Sequence, residues 1–244
     1  MNRAGRVVLI TGSSRGIGLG IAHSFAARGD RVILNGREDH TQLAKSVEKL
    51  TQMGHNVTGY TADLSDYGKA QEMFSRIEAE HGPVEVLVNN AGAAHYGLFS
   101  DMCPADWQGV LSHNLHTAIN ASHLAVPAMV QAKSGCIINI TSVWGIAGAS
   151  CEVMYSTAKA AIIGFTKALA KELGPSGIRV NAIACGAFDT RMNDNLSHEA
   201  KTSFTENIPL GRFGDTKEVG ALTVFIAGAD YLTGQVIPLD GGLL

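Results

Sequence analysis

Tyr155 and Lys159 stand four residues apart in the run Tyr155-Ser156-Thr157-Ala158-Lys159. That spacing stacks two side chains on one face of a helix. An ammonium beside a phenol favours the phenolate, so the pair predicts a tyrosine of raised acidity. Lowering a phenol's pKa by about three units takes ~4 kcal/mol, within reach of a poorly solvated cation at close range. A phenol so tuned exchanges a proton near neutral pH, as interconversion of a carbonyl and an alcohol requires. Surface helices also carry Tyr-x3-Lys pairs by chance, so the surrounding residues decide. Ser142 follows the apolar run Cys136 to Ile140, thirteen residues before Tyr155. A hydroxyl at the carboxyl edge of a parallel strand faces the crevice where such sheets bind ligands.

The start of the chain supplies the ligand that such a site needs. Val7-Val8-Leu9-Ile10 reads as a short buried strand. Thr11-Gly12-Ser13-Ser14-Arg15-Gly16-Ile17-Gly18 comes next, then a helical pattern through Arg28. Strand, glycine-rich turn and helix form a dinucleotide context, with the pyrophosphate on the helix's first amides. The spacing is Gly-x3-Gly-x-Gly rather than Gly-x-Gly-x2-Gly, and a glycine-rich turn without a ligand is the alternative. A second strand, Arg31 to Leu34, closes in Asn35-Gly36-Arg37. An acid there would take the ribose 2′-hydroxyl of NAD. Instead Arg37 and Arg15 are expected to converge on one pocket, and two guanidiniums suit a 2′-phosphate. NADP(H) is therefore the expected cofactor. Asp39 is read as opening the helix Thr41 to Met53.

The remaining elements position these groups. Val57 to Thr61 is a third strand, after which Asp63 either bonds an adenine amino group or caps the helix Tyr67 to Glu80. Val84 to Val88 leads into Asn89-Asn90-Ala91-Gly92, where small residues let a flat cofactor pass. Trp107 to Val130 is expected as one amphipathic helix. Asn114 inside it is a local bend, a core hydrogen-bonding group or a catalyst. Ile178 to Ala184 and Gln235 to Leu239 complete seven strands, and Thr216 to Ala227 is the last helix. The polar stretch 186–210 exceeds an ordinary connection and reads as a lid. Seven strands alternating with six helices predict a doubly wound parallel sheet, an α/β Rossmann-type fold in one domain over 1–244.

Composition narrows the function classes. The chain has 244 residues, 45% hydrophobic and 17% charged, with a mean hydropathy of +0.10. These values suit a single α/β domain with a large core. A net charge of −3 without a basic run argues against nucleic acid or anionic membrane as partner. Six residues precede the first apolar run, too few for a signal peptide. No apolar stretch approaches the ~18 residues of a membrane span. Four scattered cysteines, Cys103, Cys136, Cys151 and Cys185, predict neither zinc nor disulfides and point to a reducing cytoplasm. His113 and His116 have helical ligand spacing but no accompanying carboxylate or cysteine, so they read as surface or interface residues.

Taken together, Thr11-Gly12-x3-Gly16-x-Gly18, Asn90-Ala91-Gly92, Asn114, Ser142, Tyr155-x3-Lys159 and Asp240-Gly241-Gly242 resemble the short-chain dehydrogenase/reductase superfamily. The resemblance covers essentially the whole chain. It implies Tyr155 as general acid, Ser142 orienting and polarising the carbonyl, and Lys159 binding the nicotinamide ribose and tuning Tyr155. It also implies a water held by Asn114 in a relay to Lys159. Cofactor contacts are implied along the first turn at Gly12, Ser14, Arg15, Gly16, Ile17 and Gly18. Further along they fall at Arg37, Asp63, Leu64, Asn90, Ala91 and Gly92, and around the reacting end at Tyr155, Lys159, Gly186 and Thr190. The family usually has Pro-Gly where this chain has Cys185-Gly186. The departure frees φ and is expected to loosen the lid's start; the thiol is either an oxidant-sensitive group or a small residue that fits. Residues Ala227 to Tyr231 form a shorter loop than the family's usual one, a difference placed on the substrate side or in subunit packing.

Within that superfamily Pro209-Leu210-Gly211-Arg212-Phe213 and Leu232-Thr233-Gly234-Gln235 are similar to 3-oxoacyl-acyl-carrier-protein reductases. Ser142-Val143-Trp144-Gly145 and Gly148 to Tyr155 resemble the elongation factor P 5-aminopentanone reductase branch, which reduces a ketone on a protein lysine. The resemblance thus implies NADPH-dependent reduction of a 3-oxoacyl thioester, with acyl carrier protein as a partner. A modified-protein ketone, a small alcohol, or a non-catalytic cofactor-binding regulatory role are the alternatives. The segment Ala93 to Phe99 and the lid are expected to shape specificity, and a homotetramer is implied.

Overall fold

The computed structural model describes residues 5–190, 202 and 204–244. Seven strands form one sheet in the order β3-β2-β1-β4-β5-β6-β7, every neighbouring pair parallel. They are β1 Val7–Ile10, β2 Arg31–Gly36, β3 Val57–Thr61, β4 Val86–Asn89, β5 Gly135–Ser142, β6 Ile178–Cys185 and β7 Val236–Leu239. The four residues of β1 are all buried, as they must be when helices cover both faces of a parallel sheet. Alternation along that strand divides the core. Val8 and Ile10 pack with Ile21 and Phe25 of α1 (Gly16–Ala26), whereas Val7 and Leu9 face the opposite layer.

The first layer also contains α2 (His40–Gln52) and the last helix, Thr216–Gly228. The second layer holds α3 (Tyr67–His81), α5 (Thr117–Ala132) and α7 (Val153–Leu173). Because all strands run the same way, Gly12, Asn35, Asp63, Asn90, Ser142 and Gly186 collect at one edge. The strand order reverses between β1 and β4, which opens a crevice there at the carboxyl ends.

Two local expectations need correction. The stretch Trp107 to Val130 is not one regular helix. α4 (Pro104–Leu111) runs into a π turn, Ser112–His116, and then into α5. The wide turn releases the Val110 carbonyl, which accepts from Asn114 Nδ2 at 2.9 Å, so a side chain replaces the missing backbone bond. A short helix, α6 (Trp144–Ala147), also intervenes before α7. With α6 included, Thr216–Gly228 is α8. Of the lid expected over 186–210, residues 191–201 and 203 lie outside the described residues.

Candidate active site

The glycine turn is built to receive an anionic ligand. Gly12 has φ +62° and a Cβ there would lie 2.7 Å from Ala91 Cα, so only glycine fits. Arg15, in the cap position of α1, makes no side-chain cap hydrogen bond, leaving the first amides directed at the crevice. Thr190 stands over the turn, its Cγ2 3.7 Å from a Cβ placed on Gly16. Thr11 Oγ1 accepts from the amides of Asn90 (3.0 Å) and Ala91 (2.9 Å), and Asn90 Nδ2 donates to the Thr11 and Gly12 carbonyls. These bonds lock the ends of β1 and β4 together. Thr11 opens the motif read from the sequence, but its part in joining β1 to β4 depends on residues 79 and 80 positions away.

At the far end of the crevice the outcome is mixed. Asn35 does not face a ribose. Its amide is buried, accepting from Gly12 N–H at 3.3 Å and donating to the Tyr60 and Ala62 carbonyls. Arg15 and Arg37 have different partners in the fold. Arg15 lies 3.7 Å from Asp39, whereas Arg37 pairs with Glu38 at 3.2 Å and meets His113 Nε2. Asp39 caps α2 as expected. Asp63 is not the cap of α3; Asp66 is. Asp63 Oδ1 instead accepts from the Ser65 amide and hydroxyl at 2.9 and 2.7 Å. Burial opposes its ionisation, but the Ser65 bonds and the nearby Arg37 and His113 hold its carboxyl below the usual range. Leu64, beside it, is buried in the second core layer.

The reacting end gathers the expected group around Gly92. A Cβ on Gly92 would fall 2.6 Å from Asn114 Oδ1 and 3.2 Å from Lys159 Nζ, so backbone, amide and ammonium occupy one small volume. Asn114 is buried, accepting from Ala93 N–H at 3.2 Å and donating to the Ala93 carbonyl at 2.9 Å. Its side chain therefore fastens the chain after Gly92 to the π turn. Lys159 Nζ donates to the Ile140 carbonyl at 3.2 Å, and Thr141 Oγ1 donates to the Lys159 carbonyl. Gly92→Ala is accordingly expected to displace both side chains and lower kcat about a hundredfold, with the circular dichroism spectrum intact. Wild-type turnover in steady-state assays of this variant would refute the close packing.

Ser142 stands close enough to the Tyr155 hydroxyl to favour its ionised form. Ser142 Oγ accepts from the Trp144 amide at 3.1 Å, which leaves its own proton free to donate outward. The expected acidification of Tyr155 is not found. Burial raises its pKa above the usual phenol value, the Glu152 carboxylate pushes the same way, and the Ser142 hydroxyl opposes them. Lys159 Nζ lies 5.5 Å from the ring centroid. The lysine is itself fully enclosed, and burial brings its pKa down to about 8. A cation so poorly solvated is costly to keep charged. Spacing alone shows neither the desolvation of the two groups nor the Glu152 carboxylate acting on the phenol.

The mouth of the site is formed by two joined segments. Gly97 N–H donates to the Cys151 carbonyl at 2.8 Å, tying 93–99 to the loop before α7. Cys151 holds φ +62°, a left-handed conformation strained for a side chain of this size. Glu152 is half-buried, and burial raises the pKa of its carboxyl. Met102, Leu111, Trp144 and Met154 pack around Val110, Tyr155 and Ala158, so an apolar wall adjoins the phenol. Cys185 pairs in register with Ser142 across β5 and β6. Burial pushes its thiol up to about 12, so the thiol stays protonated and behaves as the small residue that fits.

Comparison with known proteins agrees with this geometry. The family described as short chain dehydrogenase matches residues 6–201. The chain is 40% identical over 240 residues to the uncharacterized oxidoreductase YmfI of Bacillus subtilis, covering 97% of this chain and 98% of that protein. It is 35% identical over 245 residues to the 3-oxoacyl-[acyl-carrier-protein] reductase FabG of Escherichia coli, covering 100% and 99%. Among solved structures, a gluconate 5-dehydrogenase from Burkholderia cenocepacia in complex with NADP and tartrate superposes with a TM-score of 0.93. It is 29% identical, over 99% of this chain and 96% of that one.

Proposed function

The chain belongs to the short-chain dehydrogenase family, and from that premise we propose that it reduces a ketone to a secondary alcohol with NADPH, the ketone being a 3-oxoacyl thioester. The observation that carries the reading is the buried Tyr155 with Ser142 acting on its hydroxyl beside an apolar wall. When bound, NADPH supplies the hydride. The protein's part is proton delivery and orientation. Tyr155 keeps its proton until the carbonyl oxygen becomes basic, then releases it to that oxygen. Ser142, its lone pair engaged by the Trp144 amide, donates to the same oxygen as negative charge develops. Lys159 and Asn114 hold the floor of the site, and the Ala93–Phe99 segment orients the substrate.

The residues fit a dinucleotide along the whole crevice. The open amides of α1 and the close approach at Gly12 accommodate the pyrophosphate. Arg37 supplies charge for a 2′-phosphate. Arg37→Ala is expected to weaken NADPH about tenfold while sparing NADH, measured by fluorescence titration. A clear preference of the unaltered protein for NADH would defeat the assignment.

Relatives named 3-oxoacyl-[acyl-carrier-protein] reductase support the thioester, with acyl carrier protein as the partner that delivers it. A second reading, a ketone on a modified protein side chain, is favoured by Glu152. Its carboxyl forms no ion pair among the described residues and acts on Tyr155, so a cationic substrate would suit it. Acetoacetyl thioesters and cationic ketones, compared by loss of NADPH absorbance, separate the two readings. No consumption with any ketone would leave only a cofactor-binding role. The four unpaired cysteines support a reducing cytoplasm as the compartment. A homotetramer, to be checked by light scattering, is consistent with the exposed Ile119, Phe225 and Tyr231.

A further inference from the structure

His113 and Asn114 are consecutive on the π turn but serve opposite ends of the crevice. Asn114 turns to Gly92 and Lys159. His113 reaches the end of β2, where its Nε2 meets Arg37 Nη1, and it stands near the Asp63 carboxylate after β3. Three elements thus bring a guanidinium, an imidazole and a carboxylate to the place where a doubly wound fold holds the adenosine ribose. Guanidinium has only donors, so Nε2 must accept, and the imidazole in this contact is neutral with its proton on Nδ1. The charged groups facing it are Arg37 and Asp63. Glu38 acts on it through Arg37, and His116, on the same turn, is exposed.

A 2′-phosphate brings nearly two negative charges to this corner. Arg37 cannot serve both the phosphate and the Nε2 lone pair with the same N–H. When the guanidinium turns to the phosphate, Nε2 is released beside two anions, the phosphate and Asp63. Histidine is the side chain that changes charge between about pH 5 and 8. We propose that His113 is the second cationic contact for the 2′-phosphate of NADPH, neutral while it accepts from Arg37 and protonated once the phosphate draws that guanidinium away. Cofactor choice then depends on pH, since NADH offers no charge to drive the proton uptake. This inference rests on Arg37 as the primary phosphate contact, proposed above.

Calorimetric titration tests it, with NADPH, NADH and adenosine 2′,5′-bisphosphate as ligands in buffers of different ionisation enthalpy. The unaltered protein should take up a fraction of a proton on binding either 2′-phosphorylated ligand, and none beyond baseline with NADH. His113→Gln should abolish that difference. It should weaken NADPH about fivefold near pH 6 and converge with wild type by about pH 8. His113→Lys, a permanent cation, should bind NADPH tightly across that range without the pH dependence, which separates loss of charge from loss of fold. Equal proton uptake by wild type and His113→Gln would overturn the proposal, as would equal loss of NADH affinity, which would mean adenine stacking. If Arg37→Ala weakens NADPH while His113→Gln changes nothing, only the histidine's role fails. If Arg37→Ala has no effect, the phosphate assignment fails with it.

Discussion

Tyr155→Phe is expected to lower kcat for ketone reduction about a thousandfold while leaving the affinity for NADPH within a factor of about two. The substitution removes one oxygen from an enclosed site and keeps the ring that packs against Val110 and Ala158. The loss is therefore one of chemistry and not of shape. Burial and the neighbouring Glu152 charge hold the phenol in its protonated form, which is the form that reduction consumes. Stopped-flow measurement of the hydride step, alongside a binding titration, separates the two quantities. Turnover near the wild-type rate would remove Tyr155 from the role of acid and leave the proton source to be found elsewhere.

Lys159→Met should lose activity by a comparable factor and yet gain stability. Lys159 is enclosed and forms no ion pair among the described residues, and burial brings its pKa from 10.5 down to about 8. The sign follows from which state holds more protons. Between about 8 and 10.5 the unfolded chain keeps the lysine proton that the folded chain gives up, so stability rises with pH across that window. Below about pH 8 the folded protein bears the full cost of the buried charge, about 3 kcal/mol for a shift of this size. Methionine, similar in length and uncharged, removes that cost and forfeits the bond to the Ile140 carbonyl. A net gain of roughly 2 kcal/mol at neutral pH is expected from urea unfolding, shrinking toward zero near pH 10. A variant less stable than wild type at pH 7 would show that the ammonium is better accommodated than its surroundings suggest. Activity and stability pulling apart at one residue is common where a site needs a strained group.

The strands and most helices were legible because their signals are local. Val7–Ile10 and Val57–Thr61 are apolar or β-rich runs between turn residues, and their bounds match the reading from sequence. Asp39 announced α2 for the same reason, since a cap needs only its own backbone neighbours. Asp63 misled because a second aspartate three positions on was better placed for the cap. The π turn was invisible as geometry. Asn114 marks it, but a poor helix former signals a disturbance without saying that a carbonyl will be handed to its side chain. Arg15 and Arg37 were read from sequence as one phosphate pocket, yet their partners in the fold, Asp39 and His113, depend on directions that no spacing encodes.

The sequence by itself determined which groups are present and which sheet edge they reach. Alternation, glycine turns and parallel crossovers are properties of short stretches and of chain handedness. Only the tertiary structure decided how those groups behave. Burial of Tyr155, with the Glu152 carboxylate pushing the same way, reverses the expected drop in the phenol's pKa, and the lysine 5.5 Å from the ring centre has its own pKa brought down by burial. Asn35, placed by sequence where a ribose partner belongs, is turned inward by the Tyr60 carbonyl of β3 and the Ala62 carbonyl just after it. Proton affinity and hydrogen-bond direction depend on what surrounds a side chain in space, and that is assembled from residues tens or hundreds of positions away.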